Sequence, residues 1–474
     1  MKKLLACLLG LLIVTLSCKR SEKEELPQGK YDYLIKSWED IIYPPSGNEN
    51  AWITIIGGNH TGQYYVSPDG SDSNPGTRER PFKSIAYAVT HLQPGDTLVV
   101  LAKNISERPI IAGQDTLECA IDISGCRYLR IENLEITSNY TRPFWDGIAG
   151  LGDPVEHVIL KDLYIHHIDG TGINITDANH LQIINCRITY CGFGSIGGPE
   201  ARYGGWRNIL IDGCDLSYSG HYFRGTSRSP YDRPDGFGIE ASEGPIEIRN
   251  TIASHNYGDG LDSKANRTYI HECIVANNSC DGVKLWGDSS RVVNTLIYGR
   301  GDRDPTHSPW SPICISTEYP NYSFEVINCT VDDTLGHSYL LYAQYDERTI
   351  PINLRIVNTI FCSRGEESTI IWLAPSVNYE IRYNLFYGPN VEDLLISIGD
   401  SIIYTSRDVG RLGEGNIYGN PRFVRTAWGE AGDYHLSSDS PAINAGTSLF
   451  APDTDLDGKP RPQGAGVDIG CYEQ

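Results

Sequence analysis

Short runs of alternating apolar and polar residues recur along the chain from about residue 127 onward. Each run is six residues long, with apolar residues at its first and sixth positions and a small or apolar residue at its fourth. The third position is an Asn or another polar or small residue. The shortest steps between runs are 22 and 23 residues, and the longer steps carry insertions. The third positions are 133, 162, 185, 213, 250, 272, 294, 328 and 358, with a looser tenth near 383 or 384.

A period of about 22 residues, built from short β-runs with no helix-length segment between them, predicts a parallel β-solenoid. Each period would form one coil, with alternate Ile, Val and Leu inside and the backbone paired to the next coil at about 4.8 Å. A leucine-rich repeat would need its own Leu and Asn spacing, and a propeller would use antiparallel blades of about 40 residues or more. We therefore expect an all-β fold of about ten coils.

Two columns of the repeat predict how successive coils touch. The Asn column suggests a ladder of stacked side-chain amides at a tight turn. The next column should face inward as small groups, with free thiols favoured, although neighbouring coils also permit a disulfide between Cys186 and Cys214. This column reads Cys186, Cys214, Thr251, Cys273, Thr295, Cys329 and Thr359.

The segments that flank the repeats are predicted to cover the two ends of the solenoid. Residues 64–100 read as a strand, a turn, an amphipathic helix begun by Pro81, and another strand. The turn at 69–74 looks like a calcium loop but lacks the downstream Glu of an EF-hand, so turn chemistry is expected. This opening and the ending at 441–473 resemble those of many secreted right-handed β-helix proteins. The resemblance implies a right-handed parallel β-helix with an N-terminal capping helix.

The predicted domain is a single β-helix at 64–474. Its N-terminal cap is placed at 64–126 and its C-terminal cap at about 388–474. These bounds follow from where the repeat begins and where it fades.

The start of the chain is predicted to direct export. A basic pair precedes an apolar run, 4–16, that is too short to span a bilayer, and a small residue precedes Cys18. This resembles a bacterial lipoprotein signal, which implies a signal peptide at 1–17 and a lipid anchor at Cys18. The expected location is the outer membrane or the periplasm, with the cell surface also open. Residues 18–63 are expected to form a tether and an N-terminal extension.

The charge composition limits the classes of binding partner that this chain can have. The 474 residues include 60 acidic and 39 basic ones, a formal net charge of −21. A chain this acidic is a poor general binder of nucleic acid or of anionic lipid surfaces. We expect no nucleic-acid partner, a membrane contact only through the lipid anchor, and a monomer.

Three successive coils each carry an Asp-Gly dipeptide that opens a strand, at Asp235, Asp259 and Asp281. Because side chains alternate along a strand, one set should point inward and the other outward onto a shared patch. The inward set is Phe237, Ile239, Leu261, Val283 and Leu285. The outward set is Glu240, Asp262, Lys264, Lys284 and Trp286, with Asp262 and Lys284 stacked on neighbouring coils.

Clustered carboxylates on a rigid sheet suit a hard cation such as Ca²⁺, and Asp235, Asp259 and Asp262 can converge if the turn at 259 curls. A bound dication would lower the pKa of a nearby Lys, whereas Asp262 alone would raise it, so Lys284 can act as a base beside a metal. The alternative is that Asp-Gly only marks a turn. Asp262 and Lys284 would then form a surface ion pair worth at most about 1 kcal/mol.

The stretch from about 235 to 287 resembles polysaccharide lyase family 9, the calcium-dependent pectate lyase-like β-helices. Residues 258–262 (GDGLD) match its calcium motif with Gly in place of one acid, and Asp235 matches an Asp one coil earlier. Residues 282–287 (GVKLWG) match the strand that holds a Lys base, with Trp286 where Gly is usual. The general architecture is shared over about 64–387.

The resemblance implies calcium-assisted β-elimination on a uronate-containing, pectic polysaccharide, as in pectate or rhamnogalacturonan lyases. Asp235, Asp259 and Asp262 would hold Ca²⁺, and Lys284 would take the C5 proton. Lys264 is the competing candidate for the base. Residues expected to contact the substrate are Lys264, Glu240, Asp281, Trp286, Arg233, Arg303 and His307.

Three other functions remain open at this level. A glycoside hydrolase on the same solenoid would pair two of the clustered carboxylates and need neither metal nor Lys. A glycan-binding surface solenoid would bind polymer without cleaving it. A uronate epimerase would also abstract the C5 proton. The sequence leaves open which uronate polymer is cut and whether action is endo or exo.

Overall fold

The chain is built of short β-strands. The computed structural model describes residues 50–55, 60–101, 109–112, 118–138, 145–223, 233–299, 311–333, 339–363, 369–388, 395–399, 401–426 and 432–474. Over these ranges helix is confined to two short segments, α1 (Ile85–Val89) and α2 (Val409–Leu412), which confirms the all-β prediction. No helix in these ranges is long and apolar enough to cross a membrane. The predicted signal peptide and Cys18 lie outside the described residues.

The strands fall into two compact units. The first comprises residues up to Pro234 together with Gly238–Glu240. Its strands are β1 Asn50–Ile55, β2 Gln63–Val66, β3 Thr97–Leu101, β4 Ile110–Ala112, β5 Cys119–Asp122, β6 Arg127–Glu132, β7 Glu135–Thr137, β8 Asp146–Gly150, β9 Val155–Lys161, β10 Tyr164–Ile168, β11 Thr171–Ile175, β12 Ala178–Ile184, β13 Arg187–Cys191, β14 Gly194–Gly198, β15 Trp206–Arg207, β16 Ile209–Asp212 and β17 Asp215–Ser217.

The second unit comprises Asp235–Phe237 and Ala241–Gln474, so strand β18 (Asp235–Ser242) has residues in both units. Its further strands are β19 Ile246–Arg249, β20 Ile252–Ser254, β21 Leu261–Ala265, β22 Thr268–His271, β23 Ile274–Ala276, β24 Val283–Leu285, β25 Ser290–Val293, β26 Leu296–Tyr298, β27 Ile313–Ile315, β28 Ser323–Ile327, β29 Thr330–Asp333, β30 Leu341–Ala343, β31 Ile352–Val357, β32 Ile360–Ser363, β33 Ile371–Leu373, β34 Val377–Arg382, β35 Leu385–Tyr387, β36 Ile396–Ile398, β37 Ile402–Tyr404, β38 Ile417–Tyr418, β39 Phe423–Arg425 and β40 Asp433–Leu436.

The strands of the coils lie in three sheets in each unit, because each coil gives one strand to each sheet. In the first unit the orders are β2-β3-β1-β6-β9-β12-β16, β4-β7-β10-β13-β17 and β5-β8-β11-β14, with β15 paired to β12. In the second they are β19-β22-β25-β28-β31-β34, β20-β23-β26-β29-β32-β35-β38 and β18-β21-β24-β27-β30-β33-β36-β37. Coil-to-coil pairs such as β21 with β24 are parallel, as predicted, and β39 with β40 forms an antiparallel hairpin.

The predicted Asn column forms one corner of the coils. The residues at 133, 162, 185, 213, 250, 272, 294, 328, 358 and 383 all have φ between 47° and 64°. Asn and Gly adopt this left-handed region most readily, which accounts for their recurrence. The predicted amide ladder is present between Asn358 and Asn328, where Nδ2 donates to Oδ1 at 3.1 Å. Elsewhere the amide of Asn294 donates to the backbone oxygen of Thr454, and that of Asn328 also to Gly470.

The core follows the predicted alternation. The five side chains predicted to point inward on the Asp-Gly strands are all buried, and so is the Cys and Thr column. The thiol of Cys214 donates to the backbone oxygen of Ile183 at 3.5 Å, and the thiol of Cys273 donates to Ile248 at 3.6 Å. The cysteines of the described ranges are buried thiols, which confirms the expectation of stacked thiols.

The N-terminal cap differs from the prediction at its helix. Helix α1 begins at Ile85 rather than at Pro81, because the Ser84 side chain caps it by accepting from the backbone N–H of Tyr87. Pro81 instead belongs to the preceding turn, where its carbonyl accepts from Asn74 at 2.9 Å. Asp72 shows the expected turn chemistry, since its carboxylate accepts from the backbone of Ser84 at 2.8 Å and from the Ser84 hydroxyl at 2.9 Å. Strand β1, from the predicted extension, pairs antiparallel with β3 and β6.

Candidate active site

The Asp-Gly dipeptides stack on neighbouring coils of the second unit and tie each coil to the next. The Asp235 carboxylate accepts from the backbone N–H of Asp259 at 2.7 Å, and the Asp259 carboxylate accepts from that of Asp281 at 2.8 Å. The Asp281 carboxylate in turn accepts from the backbone N–H of Ser311 at 2.8 Å. A Cβ on Gly260 would lie 2.6 Å from the backbone oxygen of Gly282, so the residue after this Asp must be small.

Three carboxylates converge beside one ammonium group. Carboxylate oxygens of Asp235, Asp259 and Asp262 lie within 4.8 Å of one another. Lys284 stands in register with Asp262 on the next coil, as predicted. Its Nζ lies 3.1 Å from Oδ2 of Asp259 and 3.2 Å from Oδ2 of Asp262. The sequence therefore identified the members of this group, which we call the acid–lysine centre: Asp235, Asp259, Asp262 and Lys284.

Burial makes the charges of this centre interact strongly. The side chain of Lys284 is 12% exposed and that of Asp259 is 2% exposed, so the pair is no surface ion pair. Burial raises the pKa of Asp235, and the neighbouring Asp259 and Asp262 raise it further. Burial also raises the pKa of Asp262, while Lys284 opposes that shift. Burial acts to lower the pKa of Lys284, but Asp262 and Asp259 outweigh it and hold the pKa above its usual range.

The donor set fits a hard cation. One oxygen of Asp262, Oδ1, is buried and has no hydrogen-bond partner among the described residues. A buried carboxylate oxygen without a partner is costly, and a cation supplies what the protein does not. Asp235, Asp259 and Asp262 offer only oxygen ligands, which Ca²⁺ prefers. Gly258, which stands where the related motif has an acid, contributes no side-chain ligand.

The other predicted site residues are placed differently. The side chain of Asp281 is buried; its second oxygen accepts from the hydroxyl of Tyr342 at 3.4 Å, and burial raises its pKa to about 7. Trp286 is half-buried, its ring lies 5.9 Å from Nζ of Lys284, and its buried indole N–H has no partner in the described part of the chain. Lys264 is half-buried on β21.

Four further residues were predicted to contact the substrate: Glu240, Arg233, Arg303 and His307. Glu240 is exposed and Arg233 is half-buried, and both belong to the first unit. Arg303 and His307 lie outside the described residues. Their assignment as substrate contacts stays a prediction.

Two residues beside the centre escaped the sequence analysis. Cys314 and Tyr342 continue the outward column from Lys284, in register on β27 and β30. Both are buried, and burial raises the pKa of each, so the thiol and the phenol are neutral. Their strands lack the Asp-Gly dipeptide that marked the earlier coils, so the outward side of the alternation was the only available signal.

The fold and the acid–lysine centre define a β-helix protein with a carboxylate-rich site. Residues 114–299 match the family described as right handed beta helix region, in agreement with the predicted handedness. A comparison with curated protein sequences found no match.

A comparison with solved structures found several that are similar to this chain. A pectate lyase, Pel9A, is 14% identical, with 88% of this chain and 97% of that chain covered and a TM-score of 0.46. A rhamnogalacturonan lyase is 13% identical, with 80% and 97% covered and a TM-score of 0.40. XylC, solved in complex with xylose, is 10% identical, with 87% and 99% covered and a TM-score of 0.52. At these identities the likeness concerns the fold alone.

Proposed function

We propose that this chain is a polysaccharide lyase that cleaves a uronate-containing polysaccharide by β-elimination. The observation that carries the proposal is the acid–lysine centre: three carboxylates, one with an unpartnered buried oxygen, converge beside Lys284. A structural ion pair needs one acid for one Lys. Three converging acids, two of them buried, exceed the charge of Lys284, and excess negative charge of this kind is costly without a cation.

The cation proposed for this centre is Ca²⁺, held by Asp235, Asp259 and Asp262. The chemistry that Ca²⁺ supplies when bound is positive charge, which offsets the acids that keep Lys284 protonated and the charge that develops on the uronate. Lys284 is the proposed base, because its Nζ lies 3.1 Å from Oδ2 of Asp259 and 3.2 Å from Oδ2 of Asp262. Asp262 and Asp259 orient that amine.

The reaction proceeds by proton transfer and loss of the C4 oxygen. Nζ of Lys284 takes the proton from C5, and the electron pair of the C5–H bond forms the C4=C5 double bond. The C4–O bond breaks with its electron pair on oxygen, and the departing oxygen takes up a proton from water. Trp286 stands beside Lys284, where its half-buried ring can stack on a sugar.

The experiment is a panel of uronate polymers incubated with the purified protein, with and without a calcium chelator. We expect ultraviolet absorbance from the new double bond on at least one polymer, and its loss on chelation. New reducing ends without that absorbance would instead indicate hydrolysis. Polymer binding without new ends would indicate a non-catalytic solenoid.

A hydrolase is the second candidate, and one observation favours it. The converging carboxylates lie close enough for a retaining pair, and Asp235 holds its proton more tightly than an ordinary acid. Such an enzyme would use Asp235 as the acid and Asp259 or Asp262 as the nucleophile. Lys284 would then only offset charge, so its removal would not abolish product formation.

We further propose that the enzyme is exported and anchored through a lipid on Cys18, at the outer membrane or in the periplasm. The supporting observation is the lipoprotein-like start of the sequence. Metabolic labelling with a long-chain fatty acid checks this proposal. The wild-type protein should incorporate the label, and Cys18→Ser should not.

A further inference from the structure

The outward column that contains Lys284 continues beyond the acid–lysine centre. Lys284 pairs with Cys314, Cys314 with Tyr342 and Tyr342 with Trp372, on successive strands of one sheet. At about 4.8 Å a strand, Trp372 lies about 14 Å along the sheet from Lys284. That separation exceeds the length of one sugar ring, so any ligand that touches both residues is an oligomer.

An exposed Arg lies over the aromatic rings at the far end of this column. The guanidinium carbon of Arg348 is 4.9 Å from the ring centre of Tyr345 and 5.0 Å from that of Trp372. The two rings are 5.0 Å apart and inclined at 60°, and Nε of Arg348 donates to the backbone oxygen of Tyr345 at 3.1 Å. We call these three residues the arginine platform.

The arginine platform has the properties of a carboxylate subsite. Rings and the Nε hydrogen bond fix the guanidinium, which reduces the conformational entropy lost when it binds an anion. Among the described residues neither terminal nitrogen of Arg348 has a hydrogen-bond acceptor. Two terminal N–H groups of a guanidinium match the two oxygens of a carboxylate.

We propose that Arg348, held on Tyr345 and Trp372, binds a carboxylate of an acidic polysaccharide some sugar units away from the unit beside Lys284. This inference rests on the proposed function, because it assigns a second contact to the same substrate. Tyr342 connects the platform to the centre indirectly, since its ring lies 6.0 Å from that of Tyr345 and its hydroxyl donates to Asp281 at 3.4 Å. The backbone N–H of Asp281 in turn donates to Asp259 of the centre at 2.8 Å.

A purely structural role for Arg348 is less consistent with the contacts. The turn that carries it is already fastened by Gln344, whose amide donates to the backbone oxygens of Thr317 at 3.1 Å and Ile350 at 3.0 Å. Gln344 is fully buried, whereas Arg348 is exposed. The turn therefore does not depend on the guanidinium.

The test measures calorimetric binding of digalacturonate, hexagalacturonate and methyl-esterified hexagalacturonate in calcium buffer. The proteins are the wild type, Arg348→Ala, Arg348→Gln and, as a control, Arg411→Ala, which removes an 81% exposed side chain of α2. We expect both Arg348 variants to weaken hexamer binding about tenfold or more, as loss of a charge-assisted hydrogen bond does. The affinities for digalacturonate and for esterified hexagalacturonate should be the same in the Arg348 variants as in the wild type. Neither ligand places a carboxylate on Arg348 while it is bound beside Lys284.

Two results would overturn the subsite. One is unchanged hexamer affinity in both Arg348 variants, and the other is equal weakening for dimer and hexamer. Arg348→Gln keeps part of the stem, so it decides the matter if Arg348→Ala fails to fold. The formation of unsaturated product by the wild type is scored separately. If the Arg348 variants lose affinity for the hexamer alone and the wild type forms no such product, the carboxylate subsite is supported and the lyase function is excluded.

Discussion

Lys284 shares its ammonium group between Asp259 and Asp262, and the oxygens that it contacts belong to the proposed cation ligands. Lys284 and a cation therefore act on the same negative charge. The sequence placed Lys284 on an outward face. The structure shows that the outward side chain is nonetheless mostly buried, which makes its removal more costly than for a solvated Lys.

Replacing Lys284 by Ala should abolish elimination. Loss of a general base reduces turnover by about 10²–10⁴. It also leaves the buried acids without their counter-charge, a loss of about 3 kcal/mol in the free energy of unfolding. Product absorbance and urea unfolding measure the two effects.

Lys264→Ala is the matched control, because Lys264 lies on β21 beside the same acids. It should keep turnover near the wild-type value and mainly raise the substrate concentration that the enzyme requires. If Lys264→Ala loses activity while Lys284→Ala keeps it, the base is Lys264. If both remain active without forming a double bond, the hydrolase replaces the lyase.

Calcium should stabilise the protein through the carboxylates of the acid–lysine centre. A ligand at about 100 times its Kd adds about 2.7 kcal/mol to the free energy of unfolding. Asp262→Asn keeps the shape but removes the charge of the residue with the unpartnered oxygen. The midpoint of thermal unfolding should therefore be higher with calcium than with chelator in the wild type. The difference between the two midpoints should be much smaller in Asp262→Asn. Equal midpoints for the wild type in both buffers would refute the metal site.

At the scale of elements, strand β40 carries a His held between two acids. His435 contacts Asp457 at 2.7 Å through Nε2 and Asp433 at 2.6 Å through Nδ1. The hydrogen bond with Asp457 raises the pKa of His435, burial opposes it, and the hydrogen bond with Asp433 adds to it. The hairpin of β39 and β40 is thereby coupled to the turn at 457 when His435 is charged.

His435 should make this part of the fold more stable in mild acid. Its pKa is raised on folding, so its stabilisation is complete below the ordinary value of 6.5 and is lost as pH rises through the higher folded value. The effect should stay below about 1 kcal/mol, because the side chain is partly solvated. Urea unfolding at about pH 6 and about pH 9 should show a smaller pH difference in His435→Gln than in the wild type.

His91→Gln is the control for that comparison, since His91 contacts Tyr87 and Thr90 rather than a carboxylate. It should leave the pH difference unchanged. If the stability of His435→Gln depends on pH as strongly as that of the wild type, the stabilising role of His435 is contradicted.

At the scale of the whole chain, the C-terminal segment fastens coils that are distant in sequence. Arg461 pairs with Glu473 at 2.7 Å, with side chains 1% and 0% exposed, and also donates to the Asn294 side chain at 3.0 Å. The Asn column thus anchors the segment through its side chains. Asn294, which was predicted as part of the amide ladder at the turn, therefore also holds the C-terminal segment.

Arg461→Ala should destabilise the second unit by about 3–5 kcal/mol, because it leaves Glu473 buried without a counter-charge. Arg411→Ala, which removes an exposed partner of Asp408, should cost far less, because solvent screens that pair. Urea unfolding followed by tryptophan fluorescence measures both. Comparable losses in the two variants would show that the buried pair is not a fastener.

The sequence by itself determined the features that repeat. The period near 22 residues, the inward side of each strand and the stacking of Asp262 on Lys284 follow from alternation and coil length, which are local properties of the chain. The members of the acid–lysine centre could be named for the same reason, since in-register strands bring equivalent positions together.

Only the tertiary structure decided the features that depend on contacts across coils and turns. The burial of Lys284, the unpartnered oxygen of Asp262 and the arginine platform arise from how turns fold back on an outward face, which no repeat encodes. The start of α1 at Ile85 was set by the cap at Ser84. Such contacts have no period, so the pattern of apolar and polar positions does not predict them.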